Sequence, residues 1–297
     1  MVLRLKIGLV DVDSKIPNLA LMKLSAYHKS LGNEVKIFDP LFDHPDIIYS
    51  SKVFKDSDKF DYFPSDCQVV QGGSGFDIDL KLGSLIENCY PDYSLYNSNI
   101  ACGFTTRGCT RSCGFCIVPQ KEGKLHPVAD IHQFWRGQKR LTLMDNNLAG
   151  DTEHFNLILN QVIKNKIQTD FNQGLDIRLI DDDKAKLLSK VKLWDGYRLR
   201  FAWDSMELEQ DVMAGISVLL NHMKSYKLMF YVLIGYETTE DEDLYRVEML
   251  KSLGIRAFVM PYDRTSQYQR DFARYVNGQV YTKVAWPDYR RNQKEVG

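Results

Sequence analysis

Along most of the 297 residues, short β-branched and aliphatic runs alternate with longer stretches whose apolar residues recur at helical spacing. This rhythm constrains the fold more than any other feature, because strand–helix–strand repeats assemble parallel sheets. In the first stretch, residues 4–11 read as a strand ending in Asp11-Val12-Asp13. Residues 18–32 read as a helix carrying Leu19, Leu21, Met22, Leu24, Tyr27 and Leu31, with Gly32 as its stop. Strands are expected at 34–39, 46–53 and 68–72, the last running into Gly72-Gly73-Ser74-Gly75. Residues 54–64 are polar and aromatic, a loop or irregular helix. A Pro- and Asn-rich linker follows at 91–98. Beyond it, strands are expected at 100–106, 140–144, 169–173, 198–203, 229–234 and 256–260. Helices are expected at 151–164, 181–190, 212–223 and 240–253, the last with Thr238-Thr239 to cap it and Gly254 to end it. Six such repeats suggest a barrel-like core over 99–262, after a small parallel-sheet domain over 1–90 and before an extension over 263–297.

Charge and hydropathy exclude some partners. The net charge is −1, which argues for neither a nucleic-acid nor a membrane partner. No apolar run approaches the roughly 20 residues of a membrane span. The first residues are too charged and too alternating for a secretory signal, and a cytoplasmic location is expected.

Chemistry concentrates in Gly108-Cys109-Thr110-Arg111-Ser112-Cys113-Gly114-Phe115-Cys116, where three cysteines are spaced C-x3-C-x2-C. Three thiolates this close can each hold one iron of a cubane [4Fe–4S] cluster, and the missing fourth ligand leaves one iron open. Half of a zinc site, or three structural thiols, are the other readings of the spacing. The nearest histidines, His126 and His132, have no paired ligand. Cys67, Cys89 and Cys102 are scattered, so no second cluster is inferred.

The cysteine loop, with Phe115 before its last cysteine, resembles the signature of the radical S-adenosylmethionine (SAM) superfamily. The resemblance implies an α/β fold: a partial (β/α)6 TIM-like barrel preceded by a small Rossmann-like, cobalamin-binding-like domain. It implies that Cys109, Cys113 and Cys116 ligate the cluster and that the open iron binds SAM, whose cleavage starts radical chemistry. Flavodoxin or ferredoxin is the implied reductant, and the substrate is unknown. Phe115 falls at the position whose backbone lies near adenine. In barrels of this kind the site forms at the carboxyl ends of the strands, and each expected strand end offers candidates. Asp145, Asn146 and Asn147 replace a common Gly-Gly-Glu run and supply acceptors for the SAM amino group. Gln173 or Asp176 is expected at the ribose, and Arg178 at the SAM carboxylate, where its planar fork bonds both oxygens. An Asp176–Arg178 structural ion pair is the alternative. Gly174 is expected to allow close backbone approach to a ligand. Asp204 is a ribose or substrate candidate, and Ile234 and Gly235 are expected beside adenine. Tyr262 can face substrate or plug the barrel.

The usual cobalamin motif of this branch, D-x-H-x-x-G, is represented by Asp11-Val12-Asp13-Ser14-Lys15-Ile16, which lacks both His and Gly. His-ligated cobalamin is therefore not expected. A corrinoid held without a protein ligand, and a domain that has lost the cofactor, both remain open. Gly72, Gly73 and Gly75 form a phosphate cradle or a plain turn. Lys121 and Lys124 are expected to be solvated. In the tail, Arg270, Arg274, Arg290, Arg291 and Lys294 interleave with Tyr275, Tyr281, Trp286 and Tyr289, a pattern shared by single-strand binders and by helices packed on a core. Two non-enzymatic alternatives follow: a corrinoid- or metal-binding module, and a zinc-stabilised nucleic-acid-binding protein.

Overall fold

The computed structural model describes residues 4–194, 196 and 198–294, with backbone alone for 291–294, so the side chains of Arg291 and Lys294 lie outside the described residues. The chain divides into two compact units, Met1–Gly103 with Ala129–Leu141, and Phe104–Val128 with Thr142–Gly297.

In the first unit, β1 (Lys6–Asp11), α1 (Leu19–Ser30), β2 (Glu34–Ile37), β3 (Ile47–Ser51) and β4 (Gln68–Gly72) give a parallel sheet in the order β2-β1-β3-β4. Ile7, Gly8, Leu9 and Val10 are all buried, as they must be in a strand covered on both faces. One face packs Ile7 and Leu9 against Leu21 and Leu24 of α1. The other packs Val10 and Ile48 against Phe38, Phe60 and Phe63. The aromatic stretch at 54–64 thus forms no regular element and covers the second face itself, with Phe60 edge-on to Phe38 and Phe63. Helix α1 is capped by Asn18, whose Oδ1 accepts from the Leu21 N–H at 3.2 Å. It ends where Gly32 takes a φ of +80°. The unit also holds α2 (Ser84–Glu87) and β5 (Ile100–Gly103).

The second unit opens with β6 (Thr106–Arg107), α3 (Val118–Lys121) and β7 (His126–Pro127), β6 and β7 pairing antiparallel around the cysteine loop. The βα alternation follows: β8 (Arg140–Leu143), α4 (Thr152–Lys164), β9 (Gln168–Phe171), α5 (Asp182–Ser189), β10 (Leu199–Ala202), α6 (Glu209–Leu220), β11 (Leu228–Ile234), α7 (Glu240–Ser252) and β12 (Arg256–Pro261). The division between units passes through β8. β8 neighbours β9, and β10, β11 and β12 form a separate parallel sheet. Between β9 and β10 the connections are local: the Leu175 N–H donates to the Arg200 carbonyl at 2.8 Å, and Arg200 pairs with Asp170. The strands therefore keep chain order across two sheets.

Local sequence explains the elements. Phe155, Ile158, Leu159 and Val162 bury one stripe of α4 at helical spacing. Thr239 and Glu242 form a reciprocal capping box on α7. The strand expected over 100–106 is split into β5 and β6, because the Thr105 and Thr106 amides turn to the Asp145 carboxylate. In the tail, α8 (Gln267–Asn277) and α9 (Trp286–Lys294) close an aromatic cluster. Phe272, Tyr275, Tyr281 and Trp286 are buried there, and Phe272 meets Trp286 at 4.9 Å between ring centroids. These rings pack as core and are not surface stacking platforms. Arg290 bridges to Glu240 at 2.9 Å.

Candidate functional site

The site lies in the second unit, where the loops after β6, β8, β9 and β10 meet in a cavity of about 130 Å³. Cys109, Cys113, Asn146, Asn147, Gln173, Asp176, Arg178 and Asp204 line it, with Arg111 and Gly174.

The cysteine loop is shaped by backbone geometry before any ligand binds. Gly108 sits at φ +78°, and a Cβ there would run into the Lys124 carbonyl. The Cys109 N–H donates to the Gly123 carbonyl at 3.2 Å, closing the loop at its base. The Cys116 N–H donates to the Cys113 carbonyl at 3.0 Å, making a tight turn between the last two ligand candidates. Two donors converge on the first thiol: the Arg111 N–H and Asn147 Nδ2, each 3.4 Å from Cys109 Sγ. Burial, Cys116 and Asp204 together push the Cys113 thiol up, and Arg178 opposes them. Cys109 and Cys113 are half-buried and Cys116 is exposed. Among the described residues, no three His, Cys, Asp or Glu side chains converge as ligands of one ion. A cubane places its thiolates on separate irons.

After β8, Asp145 turns away from the cavity. Its Oδ1 accepts from the Thr105 and Thr106 amides and hydroxyls, at 2.7 Å from Thr105 Oγ1 and 2.8 Å from Thr106 Oγ1. Burial still pushes the Asp145 carboxyl up against these four donors. Asn146 and Asn147 face the cavity. Asp145 Oδ2, Asn146 Oδ1 and Asn147 Oδ1 are buried acceptors without a hydrogen-bond partner. Three successive orphan acceptors are expensive in a folded protein unless a donor from a ligand or from water serves them.

After β9, Arg178 grips Asp176 with both arms, Nε to Oδ1 at 2.7 Å and Nη2 to Oδ2 at 2.9 Å. Arg111 Nε adds a third bond to Oδ2 at 3.2 Å. Burial alone would raise the Asp176 carboxyl, but the Arg178 fork and Arg111 hold it below the ordinary range. The Asp176–Arg178 ion pair is therefore present, and the carboxylate expected at the ribose already serves two arginines. Gly174, at φ +89°, lies where a Cβ would come 3.1 Å from the Arg200 carbonyl of β10, and it also lines the cavity. Gln173 lines the cavity.

After β10, Asp204 makes no ion pair among the described residues. Burial pushes its carboxyl up to about 6, against Arg246 and a backbone bond from Leu233. Behind it, Arg246 is fully buried, pairs with Asp243 at 2.5 Å and donates to the Trp203 carbonyl at 2.7 Å. That bond fixes the residue before Asp204.

The remaining candidates lie outside the cavity lining. Ile234 is fully buried in β11, and Gly235, at φ +73°, is packed against the Gln269 side chain. Phe115 stands edge-on to Tyr236 at 5.3 Å, and Tyr236 to Tyr262 at 4.9 Å. Gly114 passes under the Tyr236 hydroxyl, where a Cβ would lie 2.5 Å from the oxygen. Sequence reasoning missed Arg111, Tyr236 and Arg246. Arg111 carried a signal, a cation between two cysteines. Arg246 carried none, since a charged helix residue ordinarily faces water.

In comparisons with known proteins, no family model matches the chain and no curated protein is significantly similar to it.

Proposed function

We propose that the chain is a radical SAM enzyme, with one [4Fe–4S] cluster on Cys109, Cys113 and Cys116 and SAM as its second cofactor. The observation that carries this reading is that two cysteines of the C-x3-C-x2-C loop line one cavity with Asn146 and Asn147, each of which holds a buried Oδ1 without a hydrogen-bond partner. The donor set suits both groups: soft thiolates for iron, and neutral amide oxygens for an ammonium. In this reading β8 to β12 form most of a partial (β/α)6 barrel, and the four-stranded sheet is the Rossmann-like, cobalamin-binding-like domain.

When bound, cluster and SAM supply reductive cleavage to methionine and a 5′-deoxyadenosyl radical, which takes hydrogen from the substrate. The chain's own residues bind and orient. Three thiolates carry the cluster, and the Arg111 amide and Asn147 Nδ2 stabilise the charge on Cys109. Asn146 and Asn147 accept from the SAM ammonium. Asp204, unpaired at the cavity wall, accepts from hydroxyls. A reductase such as flavodoxin or ferredoxin supplies the electron, and the cytoplasm suits the thiols. Among the described residues no helix is long and apolar enough to cross a membrane.

Anaerobic reconstitution should load about four irons per chain, with a visible absorption that bleaches on reduction. The reduced, loaded protein should convert SAM to methionine and 5′-deoxyadenosine. Zinc in place of iron after anaerobic purification, or a loaded protein that leaves SAM intact, overturns the proposal.

A further inference from the structure

The cysteine loop is held by three different strand ends of its own unit. Asn147, after β8, bonds Cys109 Sγ and, at 3.3 Å, Thr110 Oγ1. Tyr236, after β11, covers Gly114 and meets the Phe115 ring. Asp176, after β9, takes the Arg111 side chain at 3.2 Å. Arg111 is thus tied at both ends, its amide to the first thiol and its guanidinium to the neighbouring strand end.

The third of these ties has no local purpose. Asp176 is already satisfied without Arg111: Arg178 supplies a two-armed ion pair and its own N–H besides. A free C-x3-C segment pays conformational entropy each time three thiolates are gathered onto one cluster. A side chain that fixes the segment in advance removes part of that cost.

We propose that Asp176 is a positioning residue: held in place by the Arg178 fork, it pins through Arg111 the segment between Cys109 and Cys113 before any cluster is bound. The cluster assignment rests on the proposed function; the pinning itself does not.

Hydrogen exchange of the metal-free protein tests this directly. Arg111→Gln should speed exchange of the amides of Cys109, Arg111 and Cys116 about threefold, the scale of one partly exposed ion pair. Exchange in α7 should stay unchanged. Arg111→Lys should recover only part of the protection, because the flexible ammonium places no donor where the Arg111 Nε–H stands. Asp176→Asn should speed exchange of the same amides by a similar factor and should add no further loop exchange to Arg111→Gln, since the two act as one device. If Asp176→Asn also loosens the turn it caps, Arg111→Gln, altered on the solvent side, still decides. Unchanged loop exchange in Arg111→Gln overturns the proposal whatever the iron content. A wild type that binds no iron, yet shows exchange dependent on Arg111, overturns the proposed function and leaves the pinning intact.

Discussion

The two units build the same kind of place and treat it in opposite ways. In each, parallel strands end side by side, the position where α/β sheets bind ligands. In the first unit that place is closed by the chain. Asp13 accepts from the Val53 and Phe54 amides at 2.7 and 2.8 Å, Asp11 accepts from the Tyr96 hydroxyl at 2.7 Å, and Lys52, nearly buried, donates to the Lys55 carbonyl at 3.0 Å. Burial alone would raise the Asp13 carboxyl, but those two amides bring it below the ordinary range. A Cβ on Gly73 would strike the Lys52 carbonyl, so the glycine lets the turn pack against that carbonyl. In the second unit, Asn146 and Asn147, each with a buried Oδ1 lacking a hydrogen-bond partner, and Asp204, with no ion pair among the described residues, line one cavity. Unsatisfied groups cost stability, and a fold that keeps them together keeps them for a ligand. The contrast makes the cavity of the second unit the place to test for a ligand.

The sharpest way to break this contrast is to remove one cysteine from each unit. Cys113→Ala should abolish stable iron loading, measured as iron per chain after anaerobic reconstitution. Cys67→Ala should leave it intact, since Cys67 lies in the first unit, where it packs on the core and donates to the Pro64 carbonyl. Equal iron in both variants would remove the basis for the cluster.

A large effect on stability is expected at Asp204. Its carboxyl rises from 3.8 to about 6 on folding. The folded state therefore holds the proton that the unfolded state has lost, and stability falls as pH climbs from about 4 to 6. Above that the penalty is constant, about 2–3 kcal/mol. Asp204→Asn should raise stability by that amount at pH 8 and leave it unchanged below pH 3.5, in urea titrations across this range. A flat difference between wild type and variant would show that Asp204 has a cation partner in solution.

At the orphan acceptors the effect is on binding. Asn146→Ala removes the buried, unpartnered Oδ1 of a cavity-lining residue and should weaken SAM binding about tenfold or more, in line with a charge-assisted hydrogen bond. Calorimetry on the loaded protein measures it. Unchanged affinity would move the ammonium elsewhere.

How much of this was legible in the sequence depends on whether a residue's role is periodic. The run of β11 and the stripe of α4 announce themselves through spacing, and Thr239 with Glu242 announces the start of α7. Phe60 and Phe63 do not, because they cover a sheet from a segment with no period. The cysteines are legible from mutual spacing alone. Asp145 is not: its neighbours in sequence suggest a ligand group, yet the amides of Thr105 and Thr106, 40 and 39 residues away, claim it. Asp176 and Arg178 are two residues apart, so their pairing is readable, while the reach of Arg111 across 65 residues is not.

The smallest expected effect tests the closed side of the comparison. Asn18 stands at the strand ends of the first unit, as Asn146 does in the second, but every contact of its side chain is internal. Oδ1 caps α1 through the Leu21 amide, and Nδ2 donates to Ser14 at 3.0 Å and Ser51 at 2.9 Å. Asn18→Ala should therefore cost about 1 kcal/mol of stability, the worth of an N-cap, with iron content and SAM affinity unchanged. Asn18→Asp, which keeps the capping oxygen and loses the Nδ2 donor, should recover most of the cap, and urea denaturation separates the two. A change in SAM affinity in either variant would show that the strand ends of the first unit also serve the ligand, and the division between a sealed end and an open one would fail.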